Sequence, residues 1–207
     1  MGGIGAKVLS VVFFPLFIPV YGAFLLFGLD YFSFYPSIYI WSAHIAVFTL
    51  GTMVPLLCIL ILYKLKVISS INMPNRRERF IPYLFTLISY IVCAFALYRL
   101  AMPKFVYSLM IAIAVALFIN SIINIWWKIS AHAAGVGGLL GGILYVGYQL
   151  YINPSEWIIA ATLVCGMVAA ARLHLNAHTP AQVVAGFLNG VVCTIIIPGF
   201  SFGWLFF

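Results

Sequence analysis

The sequence predicts an all-α integral membrane protein, folded as a bundle of about six to seven transmembrane helices. Of its 207 residues, 66% are hydrophobic and only 6% are charged, whereas soluble domains carry about 25% charged residues. The apolar residues form runs of the length that a membrane-spanning helix needs, about 20 residues. The few polar clusters fall between these runs. Both observations indicate a chain whose solvent is largely lipid.

Seven apolar runs approach the length of a spanning helix, and we predict one helix for each. They are residues 8–28, 39–63, 80–101, 104–126, 132–150, 156–171 and 180–199. The first run is too long for a signal-peptide core, and no small-residue cleavage site follows it. No linker or repeat is visible, so residues 1–207 are expected to form one domain. The four cysteines lie inside apolar runs without metal or redox spacing.

Three polar junctions interrupt the apolar sequence, and each follows an even-numbered helix in the seven-helix count. They supply Arg76, Arg77 and Arg79, then Lys128, Ser130 and His132, and finally Arg172, His174, His178 and Gln182. Ends of even-numbered helices emerge on the same side of the membrane. Ionisable side chains at membrane depth are costly and usually functional. We therefore expect the three junctions to form one site.

Two helix beginnings lie in these junctions. Thr179 and Pro180 are typical of an N-cap followed by proline at the first helical position, and Gln182 completes a capping box. Ser130 is in the same way a candidate N-cap for the glycine-rich run that follows. Helix amino termini expose backbone N–H groups and favour anions. Together with the arginines, they indicate a phosphate pocket with His132 and His178 at its mouth.

The motifs at these junctions resemble those of the type-2 phosphatidate phosphatase superfamily, which includes membrane lipid phosphatases. The third family motif is Ser-Arg, five residues, His, three residues, Asp, and here Arg172, His178 and Gln182 keep its spacing. The second motif, Pro-Ser-Gly-His, corresponds to residues 129–132. The first motif, Lys, six residues, Arg-Pro, matches less well. With its Arg aligned to Arg79, the flanking positions hold Asn72 and Phe80.

The resemblance covers residues 72–186 and implies a function for each matched position. His178 would attack phosphorus to form a phosphohistidine, and His132 would act as the general acid for the leaving oxygen. Arg172, Arg79, Arg76 and Ser130 would bind the phosphoryl oxygens. The expected substrate is a phosphorylated lipid of the bilayer, hydrolysed as a phosphoric monoester or a diphosphate. The family mechanism needs no metal or other cofactor.

One departure from the family pattern leaves two functions open. The family Asp, which orients the nucleophilic histidine and balances its charge, is replaced here by Gln182. An amide can accept the orienting hydrogen bond but offers no charge. The chain is therefore either a working lipid phosphatase or an impaired relative that binds phospholipid or serves as a subunit of a membrane complex. Retention of His132, His178 and Arg172 favours the enzyme.

Other classes of site and partner fit the sequence less well. A zinc site on His132, His174 and His178 is conceivable, but Pro180 marks a break beside His178 and the chain has only three carboxylates. So few acids also argue against a proton-coupled transporter. Scattered basic residues argue against a nucleic-acid partner. Lysines and arginines are more numerous on the side that carries the junctions, which predicts a cytoplasmic site in a bacterial inner membrane.

Overall fold

The computed structural model describes residues 3–71 and 73–202, and within these ranges the regular structure is entirely helical. Asn72 lies outside the described residues. The helices are α1 Gly3–Val12, α2 Ile18–Phe27, α3 Ser37–Phe48, α4 Val54–Lys64, α5 Phe80–Arg99, α6 Lys104–Asn124, α7 Ala131–Gln149, α8 Ser155–His174 and α9 Pro180–Phe202. Short 3₁₀ turns at Pro15–Phe17, Asp30–Phe32 and Arg76–Arg79 and a π-helical turn at Thr49–Met53 connect or extend them.

Six helical segments in the described ranges are long and apolar enough to cross a membrane. They are Gly3–Phe27, Ser37–Lys64, Arg76–Arg99, Lys104–Asn124, Ser155–His174 and Pro180–Phe200. The prediction of an all-α membrane bundle is thus confirmed. The glycine-rich helix α7 occupies the fifth predicted span but is not among these six, because glycine and its polar ends dilute its apolar character.

Helices α7 and α9 pack against each other in parallel. The backbone of Ser130 lies against Gly186, that of Ala134 against Gly190, and further along Gly141 lies against Thr194. Because residue numbers increase in both helices from one contact to the next, the two amino termini lie at the same end of the bundle. Helix α7 therefore runs alongside α9, which is long and apolar enough to span the membrane. The same packing brings the two predicted helix beginnings, at Ser130 and Thr179, close together.

The close approach of α7 and α9 leads to a stability prediction. A Cβ added at Gly190 would meet the carbonyl oxygen of Ala134 and lie 2.6 Å from the backbone nitrogen of Gly138. Since backbone atoms of a packed helix cannot move aside, Gly190→Ala should lower the free energy of unfolding by about 1–3 kcal/mol or more. Gly166→Ala, in α8, is the control because its Cβ would meet nothing within 4 Å. Thermal unfolding in detergent measures both, and equal midpoints would refute this packing.

The first predicted span, 8–28, coincides with most of the spanning segment Gly3–Phe27, but it is not one continuous α-helix as predicted. Helix α1 ends at Val12 and α2 begins at Ile18, with the 3₁₀ turn Pro15–Phe17 between them. Pro15 has no N–H to donate within a helix and its ring clashes with the preceding turn. The N–H of Phe14 bonds to the Val11 carbonyl at 3.2 Å. The carbonyl of Ser10, four residues before Phe14, is thereby left without its usual helical partner.

The second spanning segment, Ser37–Lys64, packs against the break in the first. Its π-helical turn Thr49–Met53 places the Thr52 hydroxyl 2.5 Å from the Leu16 carbonyl, to which it donates. Ser89 of α5 donates to the Leu50 carbonyl at the same distance. Single π-helical turns inside α-helices often accompany functional sites. Buried hydroxyls therefore satisfy carbonyls that the irregular backbone leaves free.

Helix α8 extends further than predicted, which changes the position of two candidate residues. It ends at His174 instead of residue 171, so Arg172 and His174 belong to its last turn. Asn176 then adopts a left-handed backbone with φ of 48°, and the Ala177 N–H bonds to the Arg172 carbonyl at 3.1 Å. This is the Schellman termination, which asparagine can adopt in place of glycine. The chain reverses here and places His178 beside the start of α9.

Candidate functional site

A cavity of about 100 Å³ lies at the end of the bundle where α7 and α9 begin, and four predicted site residues line it. They are Arg79, His132, Arg172 and His178. Arg79 and His132 come from the first and second polar junctions, and Arg172 and His178 both come from the third, so all three junctions are represented. The rest of the wall is apolar or weakly polar and consists of Phe14, Pro15, Leu16, Ile59, Ile71, Met73, Pro82, Tyr83, Thr86, Tyr90, Leu117 and Ala131. The junctions thus converge on one chamber whose wall combines cationic and apolar side chains.

The ring of His178 is buried and held by two acceptors. Its Nδ1 lies 3.1 Å from the Lys128 carbonyl oxygen and 3.3 Å from Gln182 Oε1. The backbone N–H of Thr179 also donates to Oε1, at 3.2 Å, which identifies that atom as the amide oxygen. Since both neighbours of Nδ1 can only accept, Nδ1 carries the proton. The other ring nitrogen, Nε2, therefore has a free lone pair and can act as a nucleophile.

Gln182 has two functions in this arrangement. Its backbone N–H donates to Thr179 Oγ1 at 3.4 Å while its Oε1 accepts from the Thr179 N–H. The predicted capping box is therefore present, and α9 begins at Pro180 as expected. The same oxygen orients the ring of His178. A neutral amide accordingly selects the tautomer of the histidine without supplying a negative charge.

The surroundings of His178 also disfavour its charged form. Burial, followed by the positive charges of Arg172 and Arg79, lowers the pKa of His178 from 6.5 to about 4, although the two acceptors at Nδ1 oppose this shift. The lower pKa means that the imidazole stays neutral at pH values where an ordinary histidine is partly protonated. A neutral ring at pH 6–7 is the form that can attack phosphorus.

This pKa gives a prediction about pH dependence. In the ligand-free protein, protonation of His178 should be complete only below pH 4, so its titration midpoint should lie more than one pH unit below that of a solvated histidine. Histidine-labelled protein can be titrated by NMR, with His178→Asn used to assign the resonance. A midpoint near pH 6.5 would contradict the burial and charge environment described above.

The two arginines of the cavity are held by neutral groups. Arg79, only 6% exposed, donates from Nε to the Met73 carbonyl at 3.1 Å and from Nη1 to the Ile129 carbonyl at 3.4 Å. Arg172 donates from Nη1 to Ser10 Oγ at 3.1 Å, while its Nε is buried and makes no hydrogen bond to the described residues. None of the described cavity-lining side chains is a carboxylate. The chamber thus holds excess positive charge and an unused donor, and an anion would satisfy both.

Lys128 adds a third cation beside the chamber, although it is not part of the wall. Its pKa is lowered mainly by burial and further by the charges of Arg79 and Arg172. This mutual repulsion indicates that the three cations share one electrostatic environment. A bound anion would relieve it.

Several predicted residues lie outside the cavity. Ser130 is fully buried, and its hydroxyl caps α7 by accepting the Ala133 N–H at 3.3 Å. Its predicted N-cap function is therefore present, but the hydroxyl is not presented to the chamber. Arg76 is half-buried, and its carbonyl accepts from Asn124 Nδ2 at 2.8 Å. Arg77 is exposed. Of the arginine cluster, only Arg79 reaches the wall.

The zinc alternative finds no support in the described ranges. His174 is exposed in the last turn of α8 and does not line the cavity. Helix α8 ends between His174 and His178, so the two rings do not share a helical face. No group of three histidine, cysteine or acidic side chains among the described residues is placed to hold a metal ion.

One contributor, Ser10 of α1, was missed by the sequence analysis. His132 Nε2 lies 3.1 Å from the Ser10 carbonyl oxygen, and Arg172 Nη1 lies 3.1 Å from Ser10 Oγ. Ser10 is the only polar residue between Lys7 and Tyr21 and stands five positions before Pro15. An isolated polar residue ahead of a proline inside an apolar run was the available signal.

Comparison with known proteins finds a family match over part of the chain. The sequence model of the PAP2 superfamily matches residues 124–205, which confirms the resemblance that the motifs indicate. The matched range contains His132, Arg172, His178 and Gln182 and excludes Arg79 and Ser10. Comparisons with curated proteins and with solved structures found no match.

Proposed function

Because residues 124–205 match the PAP2 superfamily, we propose that the protein is a membrane phosphatase that hydrolyses the phosphate or diphosphate ester of a lipid through a phosphohistidine intermediate. One observation carries the proposal beyond the family. The cavity combines two arginines, an unpartnered Arg172 Nε and an oriented histidine, with no carboxylate among its described lining residues. Buried charge that lacks a partner is costly, and a phosphate group would compensate it.

The proposed reaction has two chemical steps. In the first, the lone pair of His178 Nε2 attacks phosphorus and the bond from phosphorus to the lipid oxygen breaks. His132, which enters this step doubly protonated, gives its Nδ1 proton to that oxygen and becomes neutral. In the second, His132 takes a proton from water as the water oxygen attacks phosphorus, and the phosphorus–nitrogen bond breaks. Inorganic phosphate leaves and His178 is regenerated. Dividing one difficult displacement in this way is the usual benefit of covalent catalysis.

The arginines and the Nδ1 contacts support these steps electrostatically. Arg79 and Arg172 would stabilise the charge on the equatorial phosphoryl oxygens, as preorganised donors do in phosphoryl transfer. Once phosphorus is bonded to Nε2, the ring of His178 is cationic. The Lys128 carbonyl and Gln182 Oε1 accept its Nδ1–H at 3.1 and 3.3 Å and thereby spread that charge. No step requires a metal.

The apolar wall indicates an amphiphilic substrate. Beside the polar side chains, the wall of the cavity includes Phe14, Leu16, Ile59, Met73 and Leu117. Such a surface suits hydrocarbon and gains free energy when hydrocarbon replaces water, by about 25 cal/mol per Å². A phosphate on a lipid chain satisfies both the cationic and the apolar parts of this wall, whereas a soluble phosphate ester satisfies only the cationic part. The proposed substrate is therefore a phosphorylated lipid taken from the bilayer.

Binding without turnover is the second candidate, and Gln182 is the observation that favours it. An amide at this position leaves the phosphohistidine cation without a compensating negative charge. If that loss is too great, the same pocket would hold a lipid phosphate and serve in binding or in a membrane complex. Affinity for inorganic phosphate without release from any lipid phosphate would identify this case.

We propose that the site lies on the cytoplasmic face of a bacterial inner membrane. Lys64, at the end of α4, and Lys66, just beyond it, lie at the same end of the bundle as the arginines, in agreement with the enrichment of positive residues on that face. A cysteine substituted for the exposed His174 should react with impermeant maleimide only in inside-out vesicles. Reaction in right-side-out vesicles would contradict this orientation.

Phosphate release by the purified protein tests the proposed function. The substrates are phosphatidate, an isoprenyl phosphate, an isoprenyl diphosphate and a lipid A phosphate, each supplied in mixed micelles with and without EDTA. We expect release from at least one of them that EDTA does not inhibit. Loss of activity on chelation, with recovery on adding zinc, would overturn the metal-free mechanism. If no phosphate is released from any of these four lipids, the protein is not a phosphatase for these classes of substrate.

A further inference from the structure

We propose that Ser10 is a positioning residue of the site, so that the amino-terminal helix α1 completes a centre whose other predicted parts come from residues 72–186. The inference rests on the proposed function, because it assigns Ser10 to the alignment of the general acid His132 and the phosphate-binding Arg172. Ser10 lies outside the family match at residues 124–205. It does not touch the reacting atoms itself, and it acts through the two side chains that it holds.

The break in the first helix makes the Ser10 carbonyl available. In a continuous helix this oxygen would accept the N–H of Phe14, but that N–H bonds to Val11 instead. The unused oxygen lies 3.1 Å from His132 Nε2. A carbonyl can only accept, so Nε2 carries a proton in this contact. Nδ1 is then the ring nitrogen left to exchange a proton with the leaving oxygen.

The hydroxyl of Ser10 holds Arg172 through a chain of two hydrogen bonds. Oγ donates its only proton to the Ala6 carbonyl at 2.9 Å, so its lone pairs face the guanidinium. Nη1 of Arg172 donates to Oγ at 3.1 Å. With Nη1 fixed in this way, the buried Nε, which has no partner among the described residues, is held ready for a phosphoryl oxygen. The packing of α1 against α8 supports the arrangement.

The same contacts allow an opposite interpretation, in which the two Ser10 oxygens compete with phosphate for the N–H groups of Arg172 and His132. The two cases differ in the sign of one measurement. If Ser10 positions Arg172, removal of its hydroxyl weakens phosphate binding. If Ser10 competes with phosphate, removal strengthens it. The unpartnered Nε favours positioning, because the contact with Oγ uses one donor of Arg172 and leaves another.

Phosphate affinity of Ser10→Ala tests the hydroxyl. We expect the Kd for inorganic phosphate to rise about tenfold, the scale of a hydrogen bond to a charged group, with recovery in Ser10→Thr. Ser121→Ala is the matched control, because Ser121 is also a helical serine whose hydroxyl donates to the carbonyl four residues earlier. The two alanine variants should show similar thermal midpoints. An unchanged or lower Kd in Ser10→Ala overturns the proposal.

A leaving-group comparison tests the carbonyl. Pro15→Ala restores the missing N–H and favours a continuous helix, which would withdraw the Ser10 carbonyl from His132. Misplacing a general acid slows esters with poor leaving groups most, so the activity ratio of an alkyl phosphate to p-nitrophenyl phosphate should fall about tenfold or more. Pro19→Ala leaves Pro15 and the break in place and serves as the control. An equal loss on both esters overturns the assignment of the carbonyl.

The outcomes separate this inference from the proposed function. A wild-type protein that binds phosphate but releases none from lipids contradicts the proposed enzyme, while the effect of Ser10→Ala on the phosphate Kd still decides the hydroxyl contact. A wild-type enzyme whose turnover and phosphate binding are insensitive to Ser10→Ala keeps the proposed function and overturns Ser10. A wild-type protein that does not bind phosphate overturns both.

Discussion

His178→Ala is expected to abolish phosphate release from lipid substrates, with a fall in kcat of about 10⁴-fold or more, as for other enzymes that lose their nucleophile. The reason is geometric. Nε2 of His178 is deprotonated and oriented for attack, because Nδ1 donates to the Lys128 carbonyl and to Gln182 Oε1. Removing the ring leaves the arginines in place, so binding of inorganic phosphate should persist. Steady-state phosphate release and equilibrium phosphate binding measure the two effects separately.

The matched control for this variant is His174→Ala. His174 lies four residues earlier and is exposed outside the cavity, so its loss should leave kcat within about twofold, as expected of a surface substitution. A comparable fall in kcat in the two variants would contradict the assignment of His178 as the nucleophile. Turnover that persists in His178→Ala would show that another group attacks phosphorus.

Gln182→Glu should raise kcat, by about 10- to 100-fold, which is less than the roughly 10⁴-fold effect of a carboxylate in the serine-protease triad. Glutamate has the same length as glutamine, so one carboxylate oxygen can keep the place of Oε1 and accept from both Thr179 and His178. The added negative charge stabilises the cationic phosphohistidine. It also lies near the start of α9, where an acid is favoured by about 0.3–1 kcal/mol. Stopped assays with the best lipid substrate measure kcat.

Two companion measurements complete the test at residue 182. The new charge should weaken inorganic phosphate binding, because it partly neutralises Arg172 and Arg79. Gln182→Asp restores the residue of the family pattern but is one methylene shorter, so we expect a smaller gain. A highly active wild-type enzyme that loses activity in both variants would show that Gln182 is an adaptation to its substrate and not an impairment.

Much of the fold could be predicted because the bilayer leaves few choices. Each apolar run must satisfy its backbone internally, so its length and apolar character together predict a spanning helix. The capping box at Thr179 and the N-cap at Ser130 were predictable for a similar reason, since the orphan N–H groups of a helix start need nearby acceptors. Both caps are present. Local rules were therefore sufficient for local features.

The features that could not be predicted depend on contacts between distant segments. From the arginine cluster, Arg79 and Arg76 were both expected to bind phosphate, and packing of the 3₁₀ turn Arg76–Arg79 decides that only Arg79 lines the cavity. Likewise, the sequence shows that α7 is rich in glycine, but it does not show that the backbone of α7 packs against Gly186 and Gly190 of α9. The contact of Ser10 with Arg172 spans 162 positions in the chain. No spacing rule covers such a distance.

The measurement that tests the central claim most directly is chemical trapping of the intermediate. The purified protein is mixed with a lipid substrate carrying radioactive phosphate and quenched in alkali, which preserves phosphohistidine. We predict label on a single peptide, attached to His178 at Nε2, with more label in Gln182→Glu and none in His178→Ala. Label on another residue, or rapid phosphate release with no labelled protein at any quench time, would contradict the account.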